Sequence, residues 1–169
     1  CWSTVEQISV LVTDGDHNPP KRTPTGVPHF TAKNVKHFGF IYDNCTYISE
    51  KDYDRCRSRY EPIEGDVIIT CVGTLGEVAI VPKDARFNAD RNLAAVRVNS
   101  TAIANTFFQY VLASPVGQHR IHNASGSTAQ PHLYLGDLPA LPVPIPSLDA
   151  QSAIVPGIEE ALSRALAAA

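Results

Sequence analysis

Gly65-Asp66-Val67-Ile68-Ile69-Thr70-Cys71-Val72-Gly73-Thr74-Leu75-Gly76-Glu77-Val78-Ala79-Ile80-Val81-Pro82 contains two runs rich in β-branched residues, separated by a short stretch between two glycines. β-Branched side chains fit a pleated surface, and Gly73 and Gly76 can take the positive φ of a tight reversal. The stretch therefore predicts a hairpin pairing 67–72 with 78–81. Its glycine-bounded tip can approach another surface closely, such as a nucleic-acid backbone, with the Thr74 hydroxyl as one donor. The plain alternative is a hairpin with no such role.

Outward from the hairpin, 5–12 reads as a strand that enters the turn-rich Thr13-Asp14-Gly15-Asp16-His17-Asn18-Pro19-Pro20, where no helix can continue. Segments 27–31 and 41–48 are short strand candidates, 50–59 is polar enough for an exposed helix, and 93–98 reads as a buried strand. Phe107, Phe108, Val111 and Leu112 give 103–112 the spacing of an amphipathic helix, and Ser114-Pro115 starts a second helix over 115–122. Pro139, Pro142, Pro144 and Pro146 make 137–147 extended, marking the boundary of a β-rich body. Beyond it Ile154, Ile158, Leu162 and Leu166 recur every four residues and draw one stripe on a terminal helix. Pro156-Gly157 predicts a kink there, or a helix that begins at Pro156. The stripe either meets a partner helix or folds back on its own domain.

The 169 residues fit one domain with a core that needs no disulfide staples. Methionine is absent, so the sequence is expected to be a piece of a longer protein. Four cysteines without a C-x-x-C pair point to reduced thiols and the cytoplasm, and no run nears the ~18 apolar residues of a membrane span. The net charge of −3 speaks against a binder that relies on charge alone. Between Asp14 and Arg59, however, eight Lys/Arg stand against six Asp/Glu, with His17, His29 and His37 in addition, so a polyanion should meet this first third.

Catalytic motifs are incomplete. Asn18-Pro19-Pro20-Lys21 is close to the Asn-Pro-Pro-aromatic loop of adenine-N6 methyltransferases, but Lys21 replaces the ring that stacks on a flipped base, and no glycine-rich cofactor loop precedes it. His119, His122 and His132 lack the companions of a metal site and read as surface histidines. Ser125-Gly126-Ser127-Thr128 is not a nucleophile elbow; as a polar loop it can offer hydroxyls to phosphates or base edges.

Six landmarks occur in order: Thr13-Asp14-Gly15-Asp16-His17, Gly26-Val27-Pro28-His29-Phe30-Thr31-Ala32-Lys33-Asn34-Val35, Tyr47-Ile48-Ser49, the hairpin stretch, Gly126-Ser127-Thr128, and Leu141-Pro142-Val143-Pro144-Ile145-Pro146-Ser147-Leu148-Asp149-Ala150-Gln151. Together they resemble the target recognition domain of type I restriction-modification specificity subunits, over about residues 5–160. The resemblance implies an α+β fold: a twisted, mostly antiparallel β-rich recognition domain (1–147) with a few helices, then the start of a coiled-coil-type spacer helix (148–169). It implies reading of one half of a bipartite double-stranded DNA target, with no catalysis and no cofactor of its own. S-adenosylmethionine and ATP would belong to the modification (methyltransferase) and restriction subunits. Ile154, Ile158, Leu162 and Leu166 would meet a partner: the modification subunit, a second recognition half or a second copy. Alternatives are the recognition domain of a fused restriction-methyltransferase enzyme, or a protein-interaction domain. The candidate DNA-binding residues are Asp14, His17, Lys33, Asn34, Arg57, Arg59, Gly73, Thr74, Ser127, Thr128 and Gln130. Among them Asn34 and Gln130 suit bidentate pairing with adenine, and Arg57 and Arg59 with guanine.

Overall fold

The computed structural model describes residues 1–126 and 131–167. The chain runs β1 (Trp2–Thr4), α1 (Val5–Ile8), β2 (Ser9–Asp14), β3 (Arg22–Thr23), β4 (Val27–Phe30), a 3-10 turn (Ala32–Asn34), β5 (Val35–Lys36), β6 (Gly39–Phe40), β7 (Thr46–Ile48) and α2 (Glu50–Cys56). It continues through β8 (Val67–Thr70), β9 (Val78–Ile80), β10 (Asn88–Ala89), β11 (Leu93–Val98), α3 (Asn105–Ala113), α4 (Pro115–Ala124), a second 3-10 turn (Leu138–Ala140), β12 (Pro142–Pro144) and α5 (Leu148–Ala167). This is the expected α+β architecture. Sequence-distant strands form an antiparallel sheet in the order β2-β11-β8-β9, while a second sheet, β10-β4-β7-β3, is antiparallel except where β10 runs parallel to β4.

The hairpin forms with Val67 opposite Ile80 and Ile69 opposite Val78. β8 is buried at all four positions because both faces of its sheet are covered. Val67, Ile69 and Cys71 enter the larger core with Phe107, Phe108 and Leu112 of α3, whereas Ile68 enters a smaller core with Phe30 and Phe87. β11 divides the same way, Ala94 and Val96 to one side and Leu93 and Ala95 to the other. A continuous apolar run, rather than an alternating one, follows from this double burial.

Residues 5–12 are not one strand. Thr4 and Gln7 make a reciprocal capping box, which winds Val5–Ile8 into a single helical turn before β2 starts. In 41–48 only Thr46–Ile48 is strand; Asn44 takes a left-handed φ of 57°, which turns the chain instead of extending it. The terminal helix does not begin at Pro156. Leu148–Ala167 is helical throughout, and its start is fixed by Gln151, a wholly buried side chain that accepts from the Ala104 amide (2.8 Å) and donates to the carbonyls of Ala102 (3.2 Å) and Pro146 (3.0 Å). Among the described residues no helix is long and apolar enough to cross a membrane.

Candidate nucleic-acid interface

Where β2 and β8 end beside the start of β11, the adjoining loops border a furrow. One part, about 850 Å³, lies between the 3-10 turn at 32–34, the 43–46 loop, the hairpin tip and the Asp90-Arg91-Asn92 turn; its lining includes Arg22, Lys33, Asn44, Gly73, Thr74 and Asn92. A second part, about 450 Å³, shares Val72 and Asn92 with the first and adds Asp14, His17, Arg91, His132 and Tyr134. This surface carries both donors and acceptors, with Arg22, Lys33 and Arg91 among its cations. Such a mixture suits base edges, which present both functions, better than a uniformly basic face would.

Each loop is fastened by a polar residue that is buried, as Asn34 and Asp16 are, or half-buried, as Asp90 is, and that leaves a neighbour in water. Asn34 is buried; its Oδ1 accepts from the Thr31 amide (3.0 Å) and hydroxyl (3.2 Å) and its Nδ2 donates to the Ile41 carbonyl (3.0 Å). Its amide is fully engaged in the turn and does not remain available for pairing with adenine, while Lys33 beside it is exposed. Asp90 accepts from the Asn92 amide (2.8 Å) and side chain (3.0 Å), with Arg91 exposed between them. Burial raises the Asp90 carboxyl above its ordinary value, partly offset by those two bonds. Asp16 accepts from the Asn18 amide (3.1 Å), the Cys56 thiol (3.0 Å) and Arg55 (3.5 Å); burial alone would raise its carboxyl, but these partners outweigh it and hold it low.

Asp14 is buried at the furrow wall and takes His17 at 2.5 Å and Arg59 on its two oxygens. Arg59 also donates to the Gly15 carbonyl (3.0 Å), so the structure brings Asp14, His17 and Arg59 into one charged cluster. Arg57 lies apart, paired with Asp54 (3.1 Å) and Glu61 (3.5 Å) at the end of α2, and does not line the furrow. The hairpin tip is less bare than its sequence suggests: the Thr74 hydroxyl donates to the Ala32 carbonyl (3.1 Å), docking the tip on the 3-10 turn. Gly73 and Gly76 take positive φ (83° and 86°), which favours glycine at both; a Cβ on Gly73 would only touch Cβ of Ala32 at 4.0 Å, whereas one on Gly76 would lie 2.6 Å from Oε1 of Gln118 and displace that side chain. Ser127, Thr128 and Gln130 lie outside the described residues.

His29 is not part of any basic surface. It is wholly buried, its Nδ1 meets the Asn88 amide nitrogen at 2.8 Å, and its Nε2 has no partner among the described residues. Burial first, then the Arg22 charge, push its pKa down to about 4, so the ring is neutral. His119 and His122 bond within their own helix, to Asn123 and to the Gln118 carbonyl, and His132 lies apart against Tyr134. Sequence reasoning missed Arg91, Asn92 and Tyr134 as furrow residues. The signal for the first two was Asp90-Arg91-Asn92, a polar triplet between the buried segments ending at Ala89 and starting at Leu93.

Of the apolar stripe on α5, Ile154 is exposed and Ile158 lines a shallow apolar groove with Trp2, Phe107, Tyr110 and Val111. Leu162 is half-buried, and the side chain of Leu166 lies outside the described residues.

An α+β body whose loops gather hydrogen-bonding side chains at one end of a doubly covered sheet defines a domain built to present an adaptable polar surface from a rigid scaffold. More particularly, the chain belongs to the type I restriction modification DNA specificity domain family, which it matches over residues 19–165. It is 32% identical over 110 residues to the type I restriction enzyme EcoBI specificity subunit of Escherichia coli, covering 65% of this chain and 23% of that one. Its fold resembles a chain from a structure of complex assembly and conformational transition in the type I R-M system (TM-score 0.70, 16% identity, 99% of this chain and 39% of that chain). It also resembles the S subunit from M. genitalium (TM-score 0.66, 16% identity, 94% and 38%) and the HsdS subunit from Thermoanaerobacter tengcongensis (TM-score 0.68, 15% identity, 99% and 38%). The chain thus spans less than a quarter of the curated relative's length and about two fifths of each solved one.

Proposed function

We propose that this chain is the target recognition domain of a type I specificity subunit, reading one half of a bipartite DNA site and directing the modification and restriction subunits to it. The observation that carries the proposal is the family match over nearly the whole chain; the furrow supplies a surface with the right chemistry. The domain is an address without a reaction of its own: it holds no cofactor, and S-adenosylmethionine and ATP act on the partner subunits in the cytoplasm. Asp14, His17, Lys33, Arg59, Gly73 and Thr74 face or border the DNA in this reading, joined by Arg22, Arg91 and Asn92. Residues 148–169 begin the spacer helix, and Ile154, Ile158, Leu162 and Leu166 meet a helix of the modification subunit, of the other recognition half or of a second copy.

The experiment is to map adenine methylation across the host genome with and without the gene that encodes this chain. A bipartite motif should vanish on deletion and return on complementation. An unchanged pattern, in a strain whose modification subunit is active, would refute the proposal.

A further inference from the structure

The furrow ends on two rings that no other element of the site requires. His132 and Tyr134 stack with centroids 4.2 Å apart and planes 30° from parallel. Leu133 between them is wholly buried and its amide donates to the Cys71 carbonyl (3.0 Å), while His132 bridges to Val72 at the end of the central sheet. On the other side the Tyr134 carbonyl accepts from the amides of Asp137 (2.9 Å) and Leu138 (3.2 Å). The pair is therefore held from both ends. Tyr134 nevertheless remains 55% exposed, in a fold that buries Phe30, Phe87 and Phe108 completely. Asp14, His17 and Arg91 line the same part of the furrow.

We propose that Tyr134, backed by His132, is a stacking platform for one nucleobase of the DNA target, with Arg91 on the adjoining phosphate. The proposal rests on the DNA-reading role given above. A phosphate contact calls for a cation, and a base edge calls for guanidinium, amide or carboxylate groups; a ring face supplies none of these. It offers a flat polarisable surface that fits the face of a base, and a base shows its face only where the duplex is locally unstacked. His132 keeps the tyrosine from tilting away, so little side-chain freedom remains to be lost on contact. Stacking tolerates every base, so selectivity at this position comes from the ease of unstacking. The platform should favour a flexible pyrimidine–purine step.

The test uses the full-length specificity subunit assembled with its modification subunit and the duplex carrying the methylated motif, titrated over a range of salt concentrations. Tyr134→Ala should weaken binding roughly 5- to 100-fold while leaving the log–log salt slope unchanged, and Tyr134→Phe should keep wild-type affinity. Tyr134→Leu, which keeps apolar bulk without the flat ring, should lose as much as Tyr134→Ala. Arg91→Ala should instead reduce the slope by about 1. 2-Aminopurine placed in turn along the half-site should change its emission at one position in the wild-type complex and not with Tyr134→Ala. Wild-type affinity in Tyr134→Ala, or a loss accompanied by a lower slope, would overturn the platform while leaving DNA reading intact. Absence of motif-specific binding by the wild-type assembly would overturn the reading on which it rests.

Discussion

Asp66, one residue into the stretch that decides the fold, is buried and accepts from Nε and Nη2 of Arg97 (2.8 and 2.9 Å), the Tyr60 hydroxyl (2.8 Å) and the Ile63 amide (3.1 Å). One carboxylate thus ties the start of β8 to β11 and to the segment after α2. Asp66→Ala would leave a guanidinium, a buried phenol and an amide without their acceptor, and should cost about 3 kcal/mol, or roughly 6–12 °C in Tm for a domain of this size. Thermal unfolding checks this, and a loss below about 1 kcal/mol would show that water replaces the carboxylate. His29 gives a pH signature of known sign. Its folded pKa, about 4, lies below the ordinary 6.5, so the unfolded chain binds the proton first. Stability is unaffected above about pH 6.5, falls as pH drops from there to about 4, and levels off below, for a total on the order of 3 kcal/mol from this ring. Urea unfolding at pH 7 and 4.5 should show a smaller difference between the two for His29→Gln than for the wild type; equal differences would assign the acid loss to the carboxylates alone. Neither role was legible beforehand. Nothing singles out Asp66 within the hairpin stretch, and His29 counts there with the basic first third, because one sequence does not record which polar side chains are enclosed.

At the scale of elements, periodicity and caps were the readable signals. The hairpin, β11, α3 and α4 form close to where apolar spacing and Ser114-Pro115 place them, and Ser114 accepts from the Gly117 amide (3.1 Å) as a cap should. The first helical turn was misread because Val5, Ile8 and Val10 suit a strand as well as a helix, and the Thr4–Gln7 box that decides between them is a three-residue signal inside a β-rich context. The sequence leaves the start of α5 open, at 148 or at Pro156, for a different reason: Pro156 announces itself, whereas Gln151, which settles it, acts through groups about 47 residues away. Gln151→Ala should loosen the joint between α5 and the body. Hydrogen exchange of the Ala104 amide and of the first turns of α5 should accelerate, while the amides of β8 stay protected, with about 2–3 kcal/mol lost overall. Unchanged exchange at Ala104 would show that the joint is held by apolar contacts alone.

Across the whole molecule, the fold was more legible than the site. Long apolar runs and prolines announce a covered sheet and its boundary, but the furrow is assembled from loops far apart in sequence, so its membership depends on strand order. Arg57 and Arg59, two residues apart, lie in different surroundings, and Arg91 and Tyr134 join the furrow from outside the basic third. In three of these loops a hydrogen-bonded anchor, buried in two and half-buried at Asp90, adjoins an exposed neighbour: Asp16 and His17, Asn34 and Lys33, Asp90 and Arg91. A library that randomises positions 17, 33 and 91 together should therefore keep most members folded, with Tm values within a few degrees of the parent, since exposed substitutions usually change stability by less than about 0.5 kcal/mol each. A library at 16, 34 and 90 should yield mostly insoluble protein, and equal soluble fractions in the two would refute the division. The pairing of anchor and neighbour separates inheritance of shape from inheritance of meaning. A lineage carrying this domain can drift from one address to another by single steps at the outward positions, every intermediate remaining a sound protein, so that new dialects of recognition arise without passing through a broken form.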